Sequence, residues 1–179
     1  CKDGNERNTE DAVTIMTEGK RRSHMHPLDV FFLIFQCCDP FLRQLIAKKM
    51  ALCHMAIPFL FPKDDGGVMC SLWPLENIVI QWRNRLNIAC ETLLTQHPMH
   101  IVSFIRFGRP SVSKSKLMNE VITNKHHNIF CNVESPNGSH DRYLSDGLVE
   151  LYYYLSSGKP DDVFPQEILF LNLRGDGLE

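Results

Sequence analysis

With 179 residues, 44% of them hydrophobic, and a formal net charge of −2, the chain is long enough for one domain with a real core. Its near-neutral balance excludes a general polyanion binder, so no nucleic-acid partner is expected. The polar start is not a signal peptide, and no apolar run reaches the ~18 residues a membrane span needs. The seven cysteines lack the spacing of a disulfide framework. Cys37, Cys38, Cys53, Cys90 and Cys131 sit next to hydrophobic residues and read as buried free thiols of a reducing compartment.

Residues 1–26 form a polar lead-in. The sequence starts at Cys1 and stops at Glu179 just after an apolar run, and it reads as a piece of a longer protein. His26-Pro27-Leu28-Asp29 opens a first helix, with proline in the first turn and Asp29 placed to meet the helix dipole. Val30 to Phe35 are apolar all round, which predicts a buried helix. Asp39-Pro40 caps a second helix. There Phe41, Leu42, Leu45, Ile46, Met50, Leu52, Cys53 and Met55 recur near helical spacing, opposite Arg43, Lys48 and Lys49. Pro58 kinks or ends it, and residues 62–67 are a turn. A third helix is expected over 74–95, with Ile78, Trp82, Leu86 and Leu93 facing inward. Residues 27–97 therefore read as an all-helical module.

Past His97-Pro98 the pattern changes to α/β. Strands are expected at 99–107, 128–133, 148–155 and 167–173, a helix at 114–124, and loops at 134–142 and 156–165. Between the first strand and the helix lies Gly108-Arg109-Pro110-Ser111-Val112-Ser113-Lys114-Ser115. Strand, glycine turn, Lys-Ser and helix is the layout of a phosphate-binding loop, G-x-x-x-x-G-K-[ST], with Ser113 in place of the second glycine. Gly108 permits the tight turn. The backbone N–H groups of Ser111, Val112, Ser113, Lys114 and Ser115 would form an anion nest at the helix N-terminus, with Lys116 among the phosphate-binding residues. Lys114 would reach the phosphates and the Ser115 hydroxyl would ligate Mg²⁺. Leu117, Val121 and Ile122 would face the sheet.

The chain ends on a second matching feature. The apolar run Ile168–Leu171 leads into Asn172-Leu173-Arg174-Gly175, which matches the D-x-x-G of GTPases except that Asp has become Asn. Asn172 and Asp176 are the candidate metal-side residues beside Ser115, and Gly175 is the γ-phosphate sensor. Ser135 and Ser139 are the available hydroxyls for a first switch, and Arg142 is a candidate internal arginine finger. Neither a zinc site nor a Cys/His nucleophile pair has the required spacing.

The segments HPLDVFFLIFQCCDPFLRQLIAKKMALCHMAIPFLFP, SLWPL, SFIRFGRPSVSKSKLMNEVI, DGLVELYYYLSSGKPDDVFP and EILFLNLRGDGLE resemble the interferon-induced very large GTPases, a family related to the up-regulator of cell proliferation. The resemblance covers residues 26–179. It is most specific in SKSKLMN and NLRGD, and it makes Ser113 and Asn172 family features rather than damage to one chain. It implies a partial P-loop GTPase domain over 98–179, truncated at its C-terminal side, with GTP and Mg²⁺ as ligands and slow hydrolysis. It also implies distant kinship with dynamin-like GTPases, a cytoplasmic or also nuclear setting, and self-association through the G domain or the helical module. The Asn/Thr-Lys-x-Asp motif that reads guanine would lie beyond Glu179, so GTP over ATP is what the resemblance implies and no residue here decides it. Two alternatives stand beside this reading: a pseudo-GTPase scaffold, favoured by Ser113 and Asn172, and a helical protein-interaction module.

Overall fold

The computed structural model describes residues 25–178 apart from 64, 85, 109–110, 124–126, 137 and 139–142. The lead-in over 1–26, Ser139 and Arg142 therefore lie wholly or almost wholly outside the described residues. Helix α1 spans Pro27–Cys37 and α2 spans Pro40–Leu52. Each opens where its sequence predicts, α2 on the expected Asp39 cap and α1 on a His26 cap that the sequence did not indicate. The His26 ring nitrogen accepts the Leu28 N–H at 3.1 Å, and Asp39 accepts the N–H groups of Phe41 and Leu42 at 2.9 and 3.0 Å. These bonds satisfy donors that a helix start otherwise leaves orphaned. α2 stops before Pro58, because His54 adopts φ 52° and the Met55 N–H turns back to Met50 O.

Residues 57–97, read as part of an all-helical module, hold four strands and two 3₁₀ turns instead of a helix among the described residues. β1 (Ile57–Pro62) and β2 (Val68–Cys70) form a hairpin across the predicted turn at Gly66. Pro58 sits at an irregularity in the β1 register, where its missing N–H is tolerated. The third helix is not formed. A single 3₁₀ turn (Trp73–Leu75) leads into a hairpin of β3 (Val79–Arg83) and β4 (Ala89–Leu93), followed by a second 3₁₀ turn (Leu94–Gln96). The Asn84 side chain accepts the N–H groups of Leu86 and Ile88, and Asn87 takes φ 59°. Asparagine at both corners makes the turn that breaks the helical pattern.

β5 (His100–Phe104), α3 (Lys114–Thr123), β6 (Val149–Tyr154) and β7 (Ile168–Leu173) follow the expected order. The expected strand over 128–133 is irregular chain. There the Asn119 side chain replaces the ladder, pairing with both the N–H and the C=O of Phe130 at 2.9 Å. The main sheet has the order β2-β1-β6-β7-β5, with β5 and β7 parallel and the other pairs antiparallel. Strands from both sides of residue 97 thus share one sheet, which corrects the reading of 27–97 as all-helical.

Each face of the sheet is covered. Leu28, Phe35, Met50, Phe61, Ile80 and Leu151 belong to one buried cluster, and Met118, Ile122, Ile129, Phe130 and Phe170 to the other. The two-residue period of a strand sends Leu151 to the first cluster and sets Glu150, Phe170 and Asn172 toward α3. Several facing expectations are reversed. Val30, Leu33 and Ile34 of α1 are exposed, as are Leu42, Leu45, Leu52 and Phe41 of α2, while Gln44, Ala47, Met50 and Ala51 are buried. Arg43, expected on the solvent face, lies over the Phe35 ring and donates to the carbonyls of Phe35, Gln36 and Cys38. Leu117 and Val121 of α3 are exposed, and Met118 joins Ile122 on the inner side. None of the six described cysteines is buried, so the expectation of buried thiols is corrected as well. Among the described residues no helix is long and apolar enough to cross a membrane.

Asp29 does more than meet a helix dipole. Its carboxylate is fully buried and accepts the N–H groups of Tyr143, Leu144 and Ser145 at 2.8, 3.2 and 2.9 Å. Burial pushes this carboxyl up, but hydrogen bonding from the 143–145 segment outweighs burial and holds it below its ordinary value. A folded value below the unfolded one means the contribution is complete above the ordinary carboxylate range and is lost as pH falls through the folded value. Asp29→Ala should cost about 1.5–3 kcal/mol, the scale of hydrogen bonds to a charged group. Chemical denaturation should show that loss at neutral pH and a shrinking gap to the parent protein below about pH 4.

Candidate functional site

The parallel register of β5 and β7 sets Phe104 opposite Asn172, so both strands end side by side. In open α/β sheets ligands bind outside such carboxyl ends. The chain leaves β5 through Gly108, whose φ of 73° suits glycine, and enters α3 at Lys114. Ser111, Val112 and Ser113 are exposed, and the Ser113 carbonyl accepts the Leu117 N–H at 3.0 Å as the helix begins. The Lys114 ammonium donates to the carbonyl of Phe104 at 3.3 Å and to that of Leu173. It therefore bridges the ends of the two parallel strands beneath the loop.

The segment after β7 is stitched to the same loop. Asp176 accepts the Gly108 N–H at 2.9 Å and the Leu178 N–H at 3.1 Å, and the Gly177 N–H reaches Arg106 O at 2.8 Å. Gly175 has φ 81°, a conformation that favours glycine, and a Cβ there would sit 3.2 Å from the Asp146 side chain, which would have to give way. Lys116 turns away from the loop to an exposed ion pair with Glu134 at 2.7 Å, and that hydrogen bond raises its pKa.

Ser115 is buried, and its hydroxyl lies in a polar cluster that the sequence did not announce. Its oxygen faces Arg174 Nη1 at 3.0 Å and Asn172 Nδ2 at 3.4 Å. Glu150 is the cross-strand partner of Asn172. One of its carboxylate oxygens accepts Arg174 Nε at 2.6 Å and Asn172 Nδ2 at 3.1 Å. Arg174 Nη1 also donates to Cys131 O at 2.6 Å. The Glu150 and Arg174 side chains are 2% and 1% exposed, so this is an ion pair almost without water. The carboxylate fixes the amide of Asn172, because a flipped amide would aim oxygen at oxygen. Asn172 Oδ1 and Arg174 Nη2 are buried without a hydrogen-bond partner among the described residues. Tyr152, on the same face as Glu150, is pushed up to about 12, chiefly by burial, and stays neutral.

The loop residues thus suit a phosphate. Gly108, the lysine and the opening of α3 come together, with Ser111 to Ser113 facing solvent. Gly175 and Asp176 lie against the loop, and Asp176 is already bonded to it. A divalent metal suits the arrangement poorly. The Ser115 oxygen faces two N–H donors, one of them a permanent cation. Mg²⁺ wants hard oxygen ligands, usually including a carboxylate. One Glu150 oxygen is held by both Arg174 and Asn172, and the Asp176 oxygens are held by backbone N–H groups. Of the metal-side residues, Ser115 and Asn172 touch, while Asp176 is bound into the loop instead. Ser135, the described first-switch candidate, is buried, and its hydroxyl accepts the Asn132 N–H at 2.9 Å.

Residues 25–179 match the family described as the up-regulator of cell proliferation-like domain. The chain belongs to that family. This chain is 34% identical over 160 residues to the up-regulator of cell proliferation of Homo sapiens, covering 85% of this chain and 17% of that protein. The chain is 32% identical over 177 residues to interferon-induced very large GTPase 1 of Homo sapiens, covering 94% of this chain and 7% of that protein. It is also 29% identical over 163 residues to caspase recruitment domain-containing protein 6 of Homo sapiens, covering 85% and 16%. The chain thus spans well under a fifth of each of these relatives. No solved structure matches it. The resemblance to the very large GTPases is therefore established as kinship over most of the chain.

Glu150 and Arg174 escaped the sequence reading. Their signal was a charged residue inside or directly after an apolar strand, at a register position shared with buried neighbours. Removing one partner leaves a buried charge without a counterion, which costs about 3–5 kcal/mol. Glu150→Ala should lose stability on that scale in urea unfolding. Glu150→Gln combined with Arg174→Met should lose much less, and a double-mutant cycle reads the coupling.

Proposed function

We propose that this chain carries the phosphate-binding part of a guanine-nucleotide site, built on a partial P-loop fold over residues 98–179. The observation that carries this reading is Lys114. Its amine bridges the carbonyl ends of the parallel strands β5 and β7, at the foot of a glycine turn that opens into α3. From there a phosphate-loop lysine would reach the β- and γ-phosphates. Phosphate oxygens would take the N–H groups from Ser111 to Lys116, and the positive end of α3 adds to them. Guanine rather than adenine rests on the relative named as a GTPase. The cytoplasmic or nuclear setting rests on the resemblance alone.

In such a site the chain binds and orients the phosphates, and rate acceleration is a matter of positioning and electrostatics. The buried Arg174–Ser115 contact favours weak turnover, because the hydroxyl is engaged by protein donors. A second reading, nucleotide-independent docking or self-association, is favoured by the exposed apolar groove of about 710 Å³ along α2, lined by Leu42, Leu45, Ile46, Leu52 and Met55.

Lys114→Ala in the full-length protein should abolish guanine-nucleotide binding, measured by fluorescent-nucleotide titration. Loss of a half-buried ammonium should leave the fold intact by circular dichroism. Unchanged affinity in a folded variant sinks the phosphate-loop reading. Ser113→Gly removes a Cβ from the loop and should tighten binding, read as a lower dissociation constant. A weaker complex in the same titration would make the Ser113 hydroxyl a ligand contact.

A further inference from the structure

The place where a phosphate loop ordinarily holds its metal is, in this chain, already held by a cation of the protein. A loop Ser or Thr gives a lone pair to Mg²⁺. Here the Ser115 oxygen faces Arg174 Nη1 at 3.0 Å and Asn172 Nδ2 at 3.4 Å. The guanidinium is not a passing neighbour. Its Nε is held by Glu150 at 2.6 Å and its Nη1 by Cys131 O at 2.6 Å, so β6 and the 131 segment fix it against the first turn of α3. At 2% exposure it cannot swing into water without breaking these bonds, and it cannot lose its charge.

The strand end that should favour a metal has lost its charge too. Asn172 offers a neutral amide oxygen where the D-x-x-G pattern has a carboxylate. Glu150, across the strand from it, is neutralised by Arg174. A divalent ion on Ser115 would therefore face a fixed positive group within contact range and gain no free carboxylate in exchange. Meanwhile Arg174 Nη2, on the same carbon as the nitrogen that touches Ser115, has donor hydrogens that no described group accepts. That nitrogen is itself closed off from solvent, so it adds positive charge behind the Ser115 hydroxyl rather than a contact to a ligand.

We propose that Arg174 takes the metal's place on Ser115, so that this loop binds nucleotide phosphates without Mg²⁺. The proposal rests on the phosphate-site reading above and specifies its cation. The sequence placed the metal at Ser115, Asn172 and Asp176; the geometry gives Ser115 and Asn172 to Arg174 and Glu150, and Asp176 to Gly108.

The test is titration of the full-length protein with a fluorescent GTP analogue, once in excess Mg²⁺ and once in EDTA. The two dissociation constants should agree within about threefold. A loss of about tenfold or more in EDTA overturns the inference while leaving the nucleotide site standing. No binding under either condition overturns the site reading and this inference with it. Two variants then ask whether Arg174 is the reason. Arg174→Met with Glu150→Gln removes both charges together, and should make binding at least about tenfold stronger with Mg²⁺ than without. If that folded variant stays metal-indifferent, Arg174 is not the substitute cation. Ser115→Ala keeps the ion pair and should change affinity equally with and without Mg²⁺. A loss confined to the Mg²⁺ arm would show the hydroxyl to be a metal ligand and overturn the proposal.

Discussion

The Glu150–Arg174 ion pair is the interaction around which the α3 side of the sheet is organised. Two charges at almost zero exposure carry a desolvation penalty of several kcal/mol each, recovered only when geometry and additional hydrogen bonds are good. Here the second condition is met by neighbours on other elements: Asn172 on β7, Ser115 on α3 and Cys131 in the irregular chain after α3. The requirement to satisfy the pair therefore sets the position of three segments at once. It also decides the amide orientation of Asn172 and the use of the Ser115 hydroxyl.

This cluster lies directly against the lysine that gives the site its character. Lys114 bridges the carbonyl ends of β5 and β7, while Arg174, just past β7, meets Ser115 in the first turn of α3. Two cations thus serve two different purposes within a few residues, one at the loop and one in the core. Asp176 complements them by bonding the Gly108 N–H, which ties the end of β7 to the turn after β5. The parallel pairing of those strands makes all three arrangements possible, because it brings two loops remote in sequence to one edge.

The opposite half is held by a different carboxylate. Asp29 anchors α1 to the chain that enters β6, so residues separated by more than a hundred positions share one buried group. With β1 hydrogen-bonded to β6, the helical pair and the strand-rich part form a continuous sheet-and-helix assembly. Its remaining apolar exposure is concentrated along α2, where the small residue Ala47 faces inward and Leu45 and Phe41 face out. A close helix-to-sheet approach favours small residues at the contact.

Local chemistry was legible along the chain. The start of α1 at Pro27, the cap at Asp39, the turn at Gly66, the strands at 100–104, 149–154 and 168–173, and the loop from Gly108 into α3 all follow from residue type and near-neighbour spacing. Family kinship was legible as well, because it is carried by strings such as SKSKLMN and NLRGD. What spacing could not decide was the helix-or-hairpin choice over 74–95, where an apolar series fits both periods and only the Asn84–Asn87 turn and the packing against α2 arbitrate. The inner faces of α1 and α2 were decided by the sheet they meet rather than by their own apolar stripe. The occupant of Ser115 was decided the same way. Sequence determined that a hydroxyl, a lysine and a glycine turn would stand together; the fold determined that a buried guanidinium from β7's end would reach that hydroxyl. That reach depends on cross-strand register between Glu150 and Asn172, a non-local pairing that no single segment encodes.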